Sequence, residues 1–108
     1  MKSFKWKIGL EFVKDEKVDV VQIVTDHITA AMRYAYKDGL SWDCQRRLVK
    51  ILDKIETDKT GTVKLEDAEF DLLKESFKRA KFPPATTRVL NKIYDAIEEA
   101  DTKAKKDG

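Results

Sequence analysis

The first dozen residues carry an alternation that leaves little freedom in how the chain folds. Phe4, Trp6, Ile8, Leu10 and Phe12 occupy every second position, and Lys5, Lys7, Gly9 and Glu11 stand between them. Side chains along an extended strand point to opposite faces in turn, so the pattern predicts a strand from Phe4 to Phe12 with one wholly apolar face. Two phenylalanines and a tryptophan on one face need a large cover. The rest of the chain must therefore supply a packing layer rather than stand apart from it.

That layer reads as helical. After a charged turn at Lys14 to Lys17, Val20, Val21, Val24, Ile28, Ala31, Met32 and Ala35 recur at helical spacing and predict a helix from Val18 to Tyr36. Asp19 is placed to cap its start, and Gly39 suits the left-handed position after its end. Ser41 is placed to cap a second helix, Trp42 to Glu56, with Leu48, Val49, Leu52 and Ile55 as its apolar line. Thr62 to Leu65 predicts a short second strand. A third helix, Glu66 to Lys81, carries Phe70, Leu73, Phe77 and Ala80. Pro83 and Pro84 break the chain, and a fourth helix from Ala85 to Ala100 buries Val89, Leu90, Ile93, Ala96 and Ile97. The expected fold is α+β and mainly helical: a small two-stranded sheet packed on about four helices in the order β-α-α-β-α-α. The repeat of a strand and two helices hints at duplication, but the halves share no residues. With 108 residues, the chain is expected to form one domain over 1–100, followed by a polar, flexible tail over 101–108.

The residues needed for most chemistry are scarce. There is one histidine, His27, and one cysteine, Cys44, too few for a zinc site of the usual kind or for an internal disulfide. Cys44 lies near a helix start, with Asp43 raising and Arg46 and Arg47 lowering its pKa, and reads as a half-buried apolar residue. His27 reads as solvated or partner-facing. Gly9, Gly39, Gly61 and Gly108 lie too far apart for a phosphate loop. The run from Glu56 to Asp67 has a calcium-loop context, with Gly61 at the sharp turn and Asp58 as a ligand. Glu56, Thr60 and Lys64 depart from that pattern, and a turn leading into a strand explains Asp58, Gly61 and Val63 equally well. No catalytic residue, metal or cofactor is expected.

Binding is left as the default. Twenty-two Lys and Arg face twenty Asp and Glu, so no strong net charge favours a polyanion. Two surfaces stand out locally. Val89, Leu90 and Tyr94 on the fourth helix, with Trp42 elsewhere, make a candidate protein-partner surface. Arg46, Arg47, Lys50 and Lys54 make a basic stripe on the second helix, a candidate nucleic-acid contact. The first strand also offers an edge for pairing with another chain. Lysines interrupt the apolar residues of the N-terminus, and no run approaches a membrane span, so a cytoplasmic protein with no membrane partner is expected.

The order of elements resembles that of small uncharacterised proteins encoded by tailed bacteriophages and prophages. The likeness is carried by the alternating segment Lys5 to Phe12, the basic helix Gln45-Arg46-Arg47-Leu48-Val49-Lys50-Ile51, the strand-to-helix run Thr62-Val63-Lys64-Leu65-Glu66-Asp67-Ala68-Glu69, and Lys81-Phe82-Pro83-Pro84 before the last helix. Those proteins usually place Ser where this chain has Glu66. The resemblance implies a phage accessory protein acting by contact, in the host cytoplasm or on the virion. It implies no catalytic residues. The function expected is a small non-enzymatic module that binds a protein or self-associates, with a nucleic-acid accessory role as the alternative.

Overall fold

The computed structural model describes residues 1–13 and 17–107, with side chains described through Lys103. Its elements run β1 (Lys2–Phe4), α1 (Val20–Ala35), α2 (Trp42–Thr57), β2 (Val63–Leu65), α3 (Asp67–Arg79), a 3-10 turn (Pro84–Thr86) and α4 (Thr87–Asp107). This is the expected mainly helical α+β fold in the expected order. Most of the predicted charged turn, residues 14–16, lies outside the described residues.

The two strands pair antiparallel, Lys2 with Leu65, Ser3 with Lys64 and Phe4 with Val63. Of the expected strand from Phe4 to Phe12 only Phe4 lies in β1, which runs Lys2–Phe4, and residues 5–12 continue without a ladder. The partner strand is the reason: β2 holds three residues, preceded by a turn at Gly61 and followed by a helix, so the ladder runs out. One further backbone bond, Lys7 N–H to the Gly61 carbonyl at 3.2 Å, extends the contact. The alternation still decides burial without a ladder. Phe4, Trp6 and Ile8 are buried, and Leu10 packs half-buried beside them.

Local signals place the helices. The Asp19 carboxylate accepts from Gln22 N–H, and Ser41 Oγ accepts from Cys44 N–H. Gly39 and Gly61 have φ of 100° and 91°, the left-handed region where a side chain is strained. Glu69 Oε1 accepts from Glu66 N–H at 2.8 Å and closes the start of α3. α1 packs on α3, α2 leans on both, and α4 lies along β1. Phe4, Val24, Ile28, Met32, Ile51, Ile55, Leu65, Phe70, Leu73 and Ile93 are fully enclosed between these elements.

α4 continues to Asp107, through most of the segment expected as a polar tail, and Ala100 at its edge is buried. Asp101 accepts from Lys2 Nζ at 3.0 Å and from Lys74 Nζ at 2.6 Å, joining α4 to β1 and α3. The Lys74 and Lys2 hydrogen bonds lower the Asp101 carboxyl pKa to about 2.

Candidate interaction surface

α2 buries one side only. Ile51 and Ile55 are fully enclosed, and Cys44, Leu48 and Leu52 are half-buried against the core. At ~100° per residue, Trp42 falls on the side opposite Ile51. Trp42 is 75% exposed and Val49 is 54% exposed, so two large apolar groups stand in solvent on one helix. Arg46 and Lys50 are exposed beside them, and Gln45 completes the rim of a shallow depression. Val49 thus leaves the apolar line expected for it, and Ile51 takes its place. Val49 points about 200° away from Ile51, so a core that takes Ile51 cannot also take Val49.

The candidate residues of the fourth helix are less exposed than Trp42. Leu90 is buried, and Val89 and Tyr94 are half-buried against the core. Much of the wide apolar stripe on α4 goes into the core, where α4 covers β1. Tyr94 meets Phe77 edge-on at 5.9 Å between ring centroids, and burial raises its hydroxyl pKa. Its outer edge lines a groove between α3 and α4 with Lys74, Lys78, Ile97, Glu98 and Asp101. Of the four residues proposed for a partner surface, Trp42 alone is largely exposed.

The basic stripe also divides. Lys54 turns inward, donating to Glu69 Oε1 at 2.7 Å and to the Lys64 carbonyl at 3.1 Å. Glu69 is 2% exposed, so Lys54 neutralises a buried carboxylate and is spent inside the fold. Arg47 is half-buried over α3, in a hollow that includes Asp71 and Glu75. The basic residues of α3 are similarly engaged: Lys74 pairs with Asp101, and Arg79 pairs with Glu75 and lies over the Tyr36 ring. Arg46 and Lys50 remain in solvent, and they share their face with Trp42 and Val49. The structure brings one residue of the first candidate set onto the same face as two of the second.

The chemically suggestive residues have structural employment. His27 Nδ1–H donates to the Ile23 carbonyl, and its ring stacks on Phe82, which also contacts Tyr34 and Phe77. His27 is therefore half-buried under an aromatic cluster rather than solvated. Asp58 organises the turn before β2, accepting from Trp6 Nε1, Thr60 Oγ1 and Gly61 N–H. Burial raises its pKa, but these hydrogen bonds outweigh that and hold it below the usual carboxylate value.

Sequence reasoning missed Val49 as a surface residue. The signal was the spacing of Trp42, Arg46, Val49 and Asp53, which lines up opposite Ile51 and Ile55. Compared with family models, curated proteins and solved structures, the chain matches none of them. No helix among the described residues is long and apolar enough to cross a membrane.

Proposed function

We propose that the chain is a small non-enzymatic binding module that acts by protein contact through the exposed face of α2, and that a tailed phage or prophage encodes it. The supporting observation is Trp42 standing 75% exposed beside Val49. A tryptophan left in water on a rigid helix forgoes the burial that most such side chains gain, and aromatic residues with arginine neighbours are what interfaces use. The histidine, the cysteine and Asp58 are all engaged within the fold, which favours contact over catalysis. The phage origin rests on the sequence resemblance alone.

Light scattering of the protein, alone and after incubation with bacterial host lysate, tests this reading. Association or a captured component should be present in wild type and lost in a Trp42→Ala/Val49→Asp variant. A strict monomer that captures nothing, or capture indifferent to both substitutions, sinks it.

One observation keeps a nucleic-acid role as the second reading: Arg46 and Lys50 lie beside a ring able to stack on a base. It has lost Lys54 and Arg47 as outward-facing charges. Salt-dependent retention on DNA or RNA, abolished by Arg46→Glu/Lys50→Glu, is its signature.

A further inference from the structure

The exposed stripe of α2 carries charges in an order that fits a copy of itself. Trp42, Arg46, Val49, Asp53 and Glu56 follow one another at spacings of four, three, four and three, which keeps them in one line along a helix. All five are exposed. Among the described residues, no ion pair within the chain engages Arg46, Asp53 or Glu56. Glu56 stands in the last turn, where the helix macrodipole disfavours an acid, so helix stability does not account for its place.

We propose that the partner of this face is a second copy of the chain, with the two α2 helices packed antiparallel about a two-fold axis. The proposal rests on reading the α2 face as the contact surface. An antiparallel pair sets the basic half of each stripe against the acidic half of the other. Arg46 of each copy then meets Asp53 of its mate, Val49 meets Val49 at the two-fold axis, and Trp42 of each packs over the Glu56 end of the other helix. The contact is self-complementary, as a two-fold interface must be. A parallel pair would set Arg46 against Arg46 and is disfavoured. A nucleic acid would meet Asp53 and Glu56 on the same line as Arg46, and a uniformly acidic protein would meet the same repulsion.

The footprint limits the affinity. α2 has 16 residues. At ~1.5 Å per residue and a helix width of ~10 Å, one such face falls short of the roughly 800 Å² per partner of a standard interface. A weak, reversible dimer is expected rather than an obligate one.

Sedimentation equilibrium of the full chain, with circular dichroism to monitor folding, tests the proposal. Wild type should show a monomer–dimer equilibrium that weakens as salt rises. Arg46→Asp and Asp53→Arg should each weaken it by ~10-fold or more, because each brings like charges together. The double variant Arg46→Asp/Asp53→Arg should recover to within ~3-fold of wild type, and an equimolar mixture of the two single variants should form the mixed dimer. Trp42→Ala should weaken association while leaving the helical signal unchanged. A wild type that stays monomeric at ~1 mM overturns the proposal, as does a dimer indifferent to both charge reversals. A monomer that still captures a lysate protein through Trp42 overturns self-pairing and leaves the binding-module reading standing. A monomer that captures nothing removes both. A monomer retained on an oligonucleotide through Arg46 overturns it in favour of nucleic acid.

Discussion

Trp6 Nε1 donates to Asp58 Oδ2 at 2.7 Å, joining the N-terminal segment to the turn that leads into β2. The same carboxylate oxygen accepts from Gly61 N–H, so one acid fixes both the turn and the strand segment that crosses it. Trp6→Phe deletes the donor and also shrinks a buried ring. It should lower stability by about 2–3 kcal/mol in urea denaturation, with the fold retained by far-UV circular dichroism. Asp58→Asn keeps an acceptor and should cost less than Asp58→Ala. Equal costs would mean that the charge, not the turn geometry, matters.

Gly61 offers a second probe of the same junction. Its φ is 91°, and a Cβ built there would lie 3.1 Å from the Cβ of Lys7. Gly61→Ala therefore combines backbone strain with a close approach and should cost about 1–2 kcal/mol or more. Gly39 has φ of 100° but open space around it, so Gly39→Ala carries the strain alone and should cost less in the same denaturation series.

Asp101 should give the fold an acid-sensitive component. Its carboxyl titrates at about 2, against an ordinary value of 3.8, because Lys74 and Lys2 donate to it. A depressed carboxyl stabilises the folded state fully above its unfolded pKa, and that contribution is lost as pH falls toward the folded value. Asp101→Asn should thus be less stable than wild type near neutral pH, and the difference should shrink between about pH 4 and about pH 2. Denaturation curves at several pH values, read by tryptophan fluorescence, check this. A difference constant with pH would mean that Asp101 acts through packing.

Lys54 and Arg46 lie on the same helix and should behave in opposite ways. Lys54→Ala takes the cation from the Glu69 carboxylate, which is 2% exposed and keeps its bond from Glu66 N–H, and should cost about 1–3 kcal/mol. Arg46→Ala touches nothing inside the fold and should stay within about 0.5 kcal/mol of wild type. Any binding activity should follow the reverse order, provided it is measured at temperatures where both variants are folded.

Leu90 and Trp42 make the same distinction for the apolar residues. Leu90→Ala empties a buried site and should cost about 2–4 kcal/mol. Trp42→Ala removes a ring that is 75% exposed and should barely move the denaturation midpoint. Comparable losses for the two would place Trp42 in the core.

The fold was largely legible because its signals are local. The caps at Asp19 and Ser41, the glycine at 39 and the proline pair at 83 and 84 act within a turn of themselves, and the elements they bound stand where the sequence puts them. The length of β1 was not legible. An alternating pattern reports which side chains are buried, and Phe4, Trp6 and Ile8 are, but hydrogen-bonded pairing also needs a partner of equal length. Which members of the candidate surfaces stay exposed was not legible for a related reason. Whether Leu90 and Tyr94 face solvent depends on how much of α4 is needed to cover β1, and whether Lys54 faces solvent depends on where Glu69 arrives from α3. Both are questions of tertiary arrangement, and helical spacing within one element carries no information about them. Trp42 was separable from the core through its angle to Ile51 and Ile55, once those two are taken as the buried pair.

The Lys2–Asp101 pair and the antiparallel match of β1 with β2 have a consequence for synthesis on the ribosome. The segment holding Phe4, Trp6 and Ile8 is made well before its shelter, since its strand partner begins at Val63 and its helical cover at Thr87. A nascent chain therefore carries three large apolar side chains without shelter while most of the protein is still being made. Chains arrested before α4 should be the species that aggregate or recruit chaperones, and β1 should dock late, once α4 has been made.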